Sequence, residues 1–166
     1  MATRSTIAIE YADGTVEQIY CHWDGYLDHN GVILRDNYSD PFKLQQLIEL
    51  GDVSSLGPNI GSAHPFSKFE IKNDAPDFDK LIALHEQAEK EGYTTFYGRD
   101  RGETGVAPKR FKDFQEYARE HQREEYEYIL RQVNGKAQWF VDFYGTDGEF
   151  LTLEEAFEFQ AEKEAA

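Results

Sequence analysis

The residues with the widest chemical reach stand close together in the first fifth of the chain. Cys21-His22-Trp23-Asp24-Gly25-Tyr26, with His29 and Asn30 just beyond, offers two imidazoles, a carboxylate, a thiol and two large aromatics within ten positions. His and Asp can ligate a divalent cation, and a thiolate activated by an imidazole is a nucleophile. Neither chemistry has the spacing it needs. No helical HExxH pattern supports a metal, and Cys21 and His22, adjacent in a strand, point to opposite faces of a sheet. The alternatives are a structural corner, with Trp23 and Tyr26 packed inward and Gly25 permitting the turn, or a contact surface for a ligand or partner.

A second group is Tyr97-Gly98-Arg99-Asp100-Arg101-Gly102-Glu103. Residues 1–98 carry a net charge of −9, residues 99–111 carry +2 and residues 112–166 carry −8, so this is the one net-positive stretch. Two guanidinium forks on a glycine-flanked loop suit carboxylate or phosphate. The phosphate-loop pattern GxxxxGK[ST] is missing. The competing reading of Arg99, Asp100 and Arg101 is an internal salt-bridged turn.

A third group is acidic. Glu154, Glu155, Glu158 and Glu162 recur at helical spacing and share a face. A row of carboxylates can imitate the phosphates of a nucleic acid; it can also be a solvated helix face. No Ser–His–Asp triad, dinucleotide fingerprint, EF-hand or zinc finger is present. No metal site, cofactor or catalytic residue is therefore assigned.

These groups ride on a chain of 166 residues with 17 Lys+Arg, 32 Asp+Glu, a net charge of −15 and one cysteine. One cysteine excludes a disulfide scaffold, and its use fits a reducing compartment. An aromatic content of 14% argues for a packed core despite a mean hydropathy of −0.70. The charge repels nucleic acid and anionic membrane, and no apolar run reaches the ~18 residues of a membrane span. The opening residues lack the apolar stretch of a secretory signal, which makes the cytoplasm the expected site.

Alternation predicts a hairpin over Ser5–Tyr11 and Thr15–Cys21 around Asp13-Gly14, and a second over Glu125–Val133 and Ala137–Tyr144 around Asn134-Gly135. Between Gly25 and Tyr38 the pattern is a short helix or irregular segment, broken near Asn30-Gly31. Asp40-Pro41 starts a helix that Gly51 ends. Asp52–Asp77 reads as a long irregular loop with a short strand at Phe69–Ile71. A helix from Asp77 or Asp79 to Gly92 carries Leu81, Ile82, Leu84, His85 and Ala88 on its buried side, and Tyr93–Tyr97 is a strand. Gly98–Arg110 is a polar loop, and Phe111–Gln122 a helix. Thr152 and Glu155 form a capping box that opens the last helix, followed by a frayed acidic tail. The expectation is one α+β domain spanning 1–166, with an antiparallel sheet built from two hairpins plus a further strand and helices mainly on one face.

Four blocks carry a resemblance: Ala2-Thr3-Arg4-Ser5-Thr6-Ile7-Ala8, Tyr20-Cys21-His22-Trp23-Asp24-Gly25-Tyr26, Tyr97-Gly98-Arg99-Asp100-Arg101-Gly102-Glu103 and Glu125-Tyr126-Glu127-Tyr128. They are similar to a group of small acidic accessory proteins of tailed bacteriophages whose role is uncharacterised. The likeness spans most of the chain and is weakest around residues 57–80. It implies expression in the cytoplasm of an infected bacterium, and proteins of this kind often bind and block a host enzyme or defence system. The leading expectation is therefore a non-enzymatic protein that binds a bacterial host protein, such as a defence or nucleic-acid-processing factor, without touching nucleic acid or membrane. His22, Trp23, Asp24, Tyr26, His29, Arg99, Asp100 and Arg101 are its candidate contacts. One alternative is an acidic DNA mimic acting through the four glutamates. The other is a small ligand-binding protein or enzyme that joins His22, Asp24 and His29 to Arg99 and Arg101.

Overall fold

Both turn dipeptides make the hairpins their chemistry demands. Strand β1 (Ser5–Glu10) runs antiparallel to β2 (Val16–Cys21), and β6 (Tyr126–Val133) antiparallel to β7 (Lys136–Phe143). Asn134 and Gly135 sit at φ +53° and +79°, the left-handed pair that a tight two-residue hairpin requires. A computed structural model describes residues 2–144, 146 and 148–166.

The two hairpins lie side by side in one sheet, but β1 meets β6 in parallel, from Ser5 opposite Tyr126 to Ile9 opposite Leu130. The sheet is therefore mixed, not antiparallel. On the other side β2 pairs in parallel with β3 (Val53–Ser55), which pairs antiparallel with β4 (Thr95–Phe96). Strand β5 (Lys109–Phe111) takes the first half of the same β2 edge, and β8 (Leu151–Thr152) borders β7.

Alternation then sorts the side chains. Ile7, Ile9, Ile19 and Cys21 face a large core closed by α1 (Val32–Asn37), α2 (Pro41–Glu49) and α6 (Leu153–Ala165), which contribute Leu34, Leu44, Leu47, Ile48, Leu153 and Ala156. Ala8, Val16 and Ile129 face a smaller cluster under α5 (Phe114–Glu120), built with Phe111 and Tyr117. Helices α1, α2 and α6 thus pack on one face and the short α5 on the other.

Local capping chemistry explains the helix ends. Asp40 accepts from the Phe42 amide with Pro41 at the first helical position, and Gly51 at φ +87° leaves the helix left-handed. Thr152 and Glu155 close a reciprocal capping box. The last helix spans Leu153–Ala165 and so takes in the acidic end of the chain.

Several expectations need correction. Phe69–Ile71 is not a strand: Lys68–Glu70 forms one 3₁₀ turn and Phe69 is 97% exposed. The strand expected at Tyr93–Tyr97 shortens to Thr95–Phe96, because Tyr97–Arg101 winds into a single helical turn, α4, ended by Gly102 at φ +75°. Phe111 belongs to β5, opposite Val16, and the helix after it starts only where Asp113 caps the Glu116 amide. On α3 (Phe78–Glu91) only Ala88 is buried. Leu81, Ile82, Leu84 and His85 are half-buried, since that helix lies at the rim beyond β4.

Candidate functional site

The end of the sheet where β2 and β7 finish and β1 and β6 begin carries most of the chemistry. Its last row across the strands is Cys21, Ser5, Tyr126 and Phe143; the next row in is Tyr20, Thr6, Glu127 and Asp142.

Beyond β2 the chain turns a corner on a buried frame. Asn30 is wholly buried and its amide nitrogen lies 3.3 Å from Ser5 Oγ, 3.4 Å from Cys21 Sγ and 3.3 Å from the Trp23 carbonyl oxygen. The Tyr128 hydroxyl donates to the Gly25 carbonyl at 2.6 Å, and the Gly25 amide donates to the Thr3 carbonyl at 2.8 Å. The His22 and Trp23 amides donate to Val53 and Ser54 of β3. Asp24 is held left-handed at φ +56°, a conformation that non-glycine residues keep only where the surroundings impose it. Gly25 has no room for a side chain, since a Cβ there would lie 2.7 Å from Ser5 Cβ and 2.9 Å from the Thr3 oxygen. Gly25→Ala should therefore cost about 2–4 kcal/mol of stability by forcing the corner off its frame; a melting curve unchanged from wild type would show that the corner yields.

On this frame Trp23 is 43% exposed and Tyr26 40% exposed, so the expectation that Trp23 is buried fails. The strand amides are claimed by β3 and the left-handed turn at Asp24 follows, which leaves the indole facing outward. His22 meets Trp23 edge-on with centroids 4.8 Å apart, and its Nδ1 lies 2.7 Å from the Tyr20 hydroxyl. His29 tilts against Tyr26 and bonds Asn30 Oδ1 through Nδ1 at 2.8 Å. Cys21 is buried and burial pushes its thiol up to about 11, so it is no nucleophile at neutral pH.

The arginine segment has an internal task. Both Asp100 oxygens are buried and accept from the Phe96 amide at 2.8 Å, the His64 amide at 3.1 Å and two nitrogens of Arg99 at 3.0 and 3.2 Å. Arg99 also donates to the Ile60, Gly61 and Thr94 carbonyls, tying the long 57–64 loop to β4. Arg101 points outward, over the Phe66 ring and between Glu70 and Glu103. Of the two forks, neither is free, and the salt-bridged turn is what forms.

The structure does not bring the first two groups together. His29 lines a cleft of about 430 Å³ with His64, His85 and Tyr93, while Asp100 and Arg101 line a neighbouring, more apolar groove of about 580 Å³ beside Ile71, Leu81 and Leu84. His22 and Asp24 line neither. Among the described residues no set of three His, Cys, Asp or Glu side chains has metal-binding geometry. Glu154, Glu155, Glu158 and Glu162 are all exposed, but Glu155 is committed to the helix cap, which holds its carboxyl below the usual range.

What the sequence reading missed lies one row inside the sheet end. Glu127 and Asp142 face each other across β6 and β7, both buried. His121, at the end of α5, gives its Nδ1 to the Tyr117 carbonyl at 2.6 Å and turns Nε2 against Glu127 Oε2. Burial first, and the Asp142 charge second, push Glu127 up to about 8, while burial pushes His121 down. Burial thus favours the neutral form of both groups, and the Tyr117 carbonyl, which can only accept, puts the His121 proton on Nδ1. Asp142 accepts from the Thr146 hydroxyl at 2.6 Å. The Tyr117 and Thr6 hydroxyls, fully buried on the same side of the sheet, have no hydrogen-bond partner among the described residues. The mouth is a cavity of about 1080 Å³ lined by Arg4, Arg123, Glu124, Glu125, Glu127, Asp142 and Lys163 among others.

In comparisons with known proteins the chain matches no protein-family model, and no curated protein or solved structure is significantly similar to it. No helix among the described residues is long and apolar enough to cross a membrane.

Proposed function

We propose that this chain is a non-enzymatic, phage-encoded protein that acts inside the infected bacterium by binding and modulating a host protein, and that it docks through the His22–Trp23–Tyr26 corner. One observation carries the reading: two large aromatics stand exposed on a frame in which Asn30, Cys21, Ser5 and Gly25 are buried and hydrogen-bonded. Binding hot spots are enriched in Trp and Tyr, and a surface already fixed before binding loses little freedom on contact. The net charge of −15 favours a basic face on the partner and speeds its approach. A host defence or nucleic-acid-processing factor, which must itself attract polyanions, has such a face.

The test is capture from bacterial lysate with wild type and with Trp23→Ala plus Tyr26→Ala, beside a variant in which Glu154, Glu158 and Glu162 become Gln. The aromatic variant should melt within about 1 kcal/mol of wild type, since neither ring is buried, and lose about 2 kcal/mol or more of binding at the hot spot. Intact binding by that variant, with loss in the glutamine variant and steep weakening by salt, would instead favour a DNA mimic.

A further inference from the structure

Two buried carboxyl groups at opposite positions of a hairpin are an unfavourable arrangement, because like charges directly across strands repel and each ion loses water. Folds keep such a pair where a cation or a proton compensates it. Here the compensation by a cation is incomplete. Arg123 Nη1 stands 3.9 Å from Glu127 Oε1 and 3.9 Å from Asp142 Oδ2, beyond hydrogen-bond reach of either, with its side chain 59% exposed. Its Nη2 donates elsewhere, to the Ala118 carbonyl at 3.2 Å. Two buried hydroxyls, Tyr117 OH and Thr6 Oγ1, add oxygen lone pairs that no donor among the described residues uses. The Tyr117 ring stacks on His121 with centroids 4.4 Å apart, and His121 in turn meets Glu127. Thr6 is the direct strand neighbour of Glu127.

We propose that Glu127 and Asp142, with the hydroxyls of Tyr117 and Thr6, form a receptor for one guanidinium or alkylammonium group, and that Arg123 covers its mouth in the free protein. Such a group brings the several N–H donors that two carboxylates and two hydroxyl oxygens lack, and the carboxylates give it a charge partner out of water. Spherical divalent cations are poorer candidates, since among the described residues no three His, Cys, Asp or Glu side chains converge. Glu127, Asp142 and Arg123 all line the cavity of about 1080 Å³. The cation has two possible sources, a free small molecule or a Lys or Arg side chain of the bound protein; only the second rests on the partner-binding reading. The site lies at the same sheet end as the Trp23 corner.

The groups that face Glu127 set the pH response. These are His121 and Tyr117 from α5, Arg123 and Glu124 from the segment before β6, and Asp142 from β7; Arg4 and Lys163 stand at the cavity wall. Because Glu127 holds a proton at neutral pH, an entering cation must displace it. Apparent affinity scales with the deprotonated fraction, so it should rise roughly tenfold per pH unit up to about pH 8 and then level off.

The experiment is calorimetric titration of the whole protein with L-arginine amide, with citrulline amide as the uncharged control, at pH 6, 7 and 9. The ¹³C shift of the Glu127 carboxyl, followed by NMR, locates the contact. Arginine amide should bind, citrulline amide should not, and the Glu127 signal should move toward the ionised form. Glu127→Gln, which keeps the size of the side chain and removes its charge, should lower affinity at least tenfold at pH 9. Arg123→Ala should raise affinity several-fold by opening the mouth. A purely structural Arg123 would give loss of stability and no gain in binding. Absence of binding to both wild type and Arg123→Ala at millimolar arginine amide would overturn the proposal, as would affinity indifferent to Glu127→Gln or flat from pH 6 to 9. An arginine-containing peptide that competes with arginine amide supports the side-chain source, and a Trp23→Ala protein that still binds arginine amide but not its partner separates this site from the docking corner.

Discussion

Asp100→Ala should lower the unfolding free energy by about 3–5 kcal/mol, the range for removing one partner of a buried ion pair. The carboxylate is wholly buried and accepts two backbone amides as well as the Arg99 fork. Its loss leaves Arg99, which is largely buried, beside nothing but carbonyls, and leaves the His64 and Phe96 amides without acceptors. The long loop should be the first part to loosen, so amide exchange should accelerate at residues 60–64 before it does in β1 or β6. Arg101→Ala is the control. Its salt bridges to Glu70 and Glu103 are exposed, and such pairs contribute about 0–1 kcal/mol. Urea titration of both variants decides the matter: equal losses would mean that the segment is not an internal brace, and its arginines would again be candidates for external anions.

The second large effect depends on pH. Glu127 has a folded-state pKa near 8 against an ordinary value of 4.5, raised chiefly by burial. Between those values the folded protein holds a proton that the unfolded chain has released, so stability falls as pH rises from about 4.5 to about 8. At ~1.4 kcal/mol per unit this amounts to about 3–5 kcal/mol. His121 works in the opposite sense, because burial lowers its pKa; it adds stability as pH climbs toward 6.5 and nothing above. The interval from pH 6.5 to 8 therefore isolates the glutamate. Glu127→Gln should match wild type at pH 5, exceed it by a few kcal/mol at pH 9, and flatten the slope between. Parallel stability curves for the two proteins from pH 6.5 to 9 would show that Glu127 ionises freely in the folded state.

How much of this could be read from the sequence divides along physical lines. Local signals were sufficient for the two hairpins, the Asp40-Pro41 and Thr152–Glu155 helix starts and the glycine stops, because each is encoded within five residues. The Glu127–Asp142 pair was legible too. Counting outward from Asn134-Gly135 places those two positions opposite each other, and two acids facing in a hairpin should have marked a site. The parallel contact of β1 with β6 was not legible, since alternation reveals a strand's faces and never its neighbour. Three-residue strands such as Val53–Ser55 and Lys109–Phe111 are too short to show a period. Trp23 misled through its size: a large ring favours burial, yet the backbone bonds to β3 and the left-handed Asp24 decide where it points.

The parallel pairing of β1 with β6 also constrains how the protein is born. The first hairpin emerges early from the ribosome, yet its β1 edge stays unpaired until the segment from Tyr126 onward has been made. At synthesis rates of ~5–20 residues per second that is an interval of roughly 5–20 s. During it Ser5–Ile9 is a naked apolar strand edge, able to recruit a foreign strand. A chain terminated before residue 126 never covers that edge, so prematurely ended products should aggregate, whereas losing only the acidic end of α6 leaves the sheet complete.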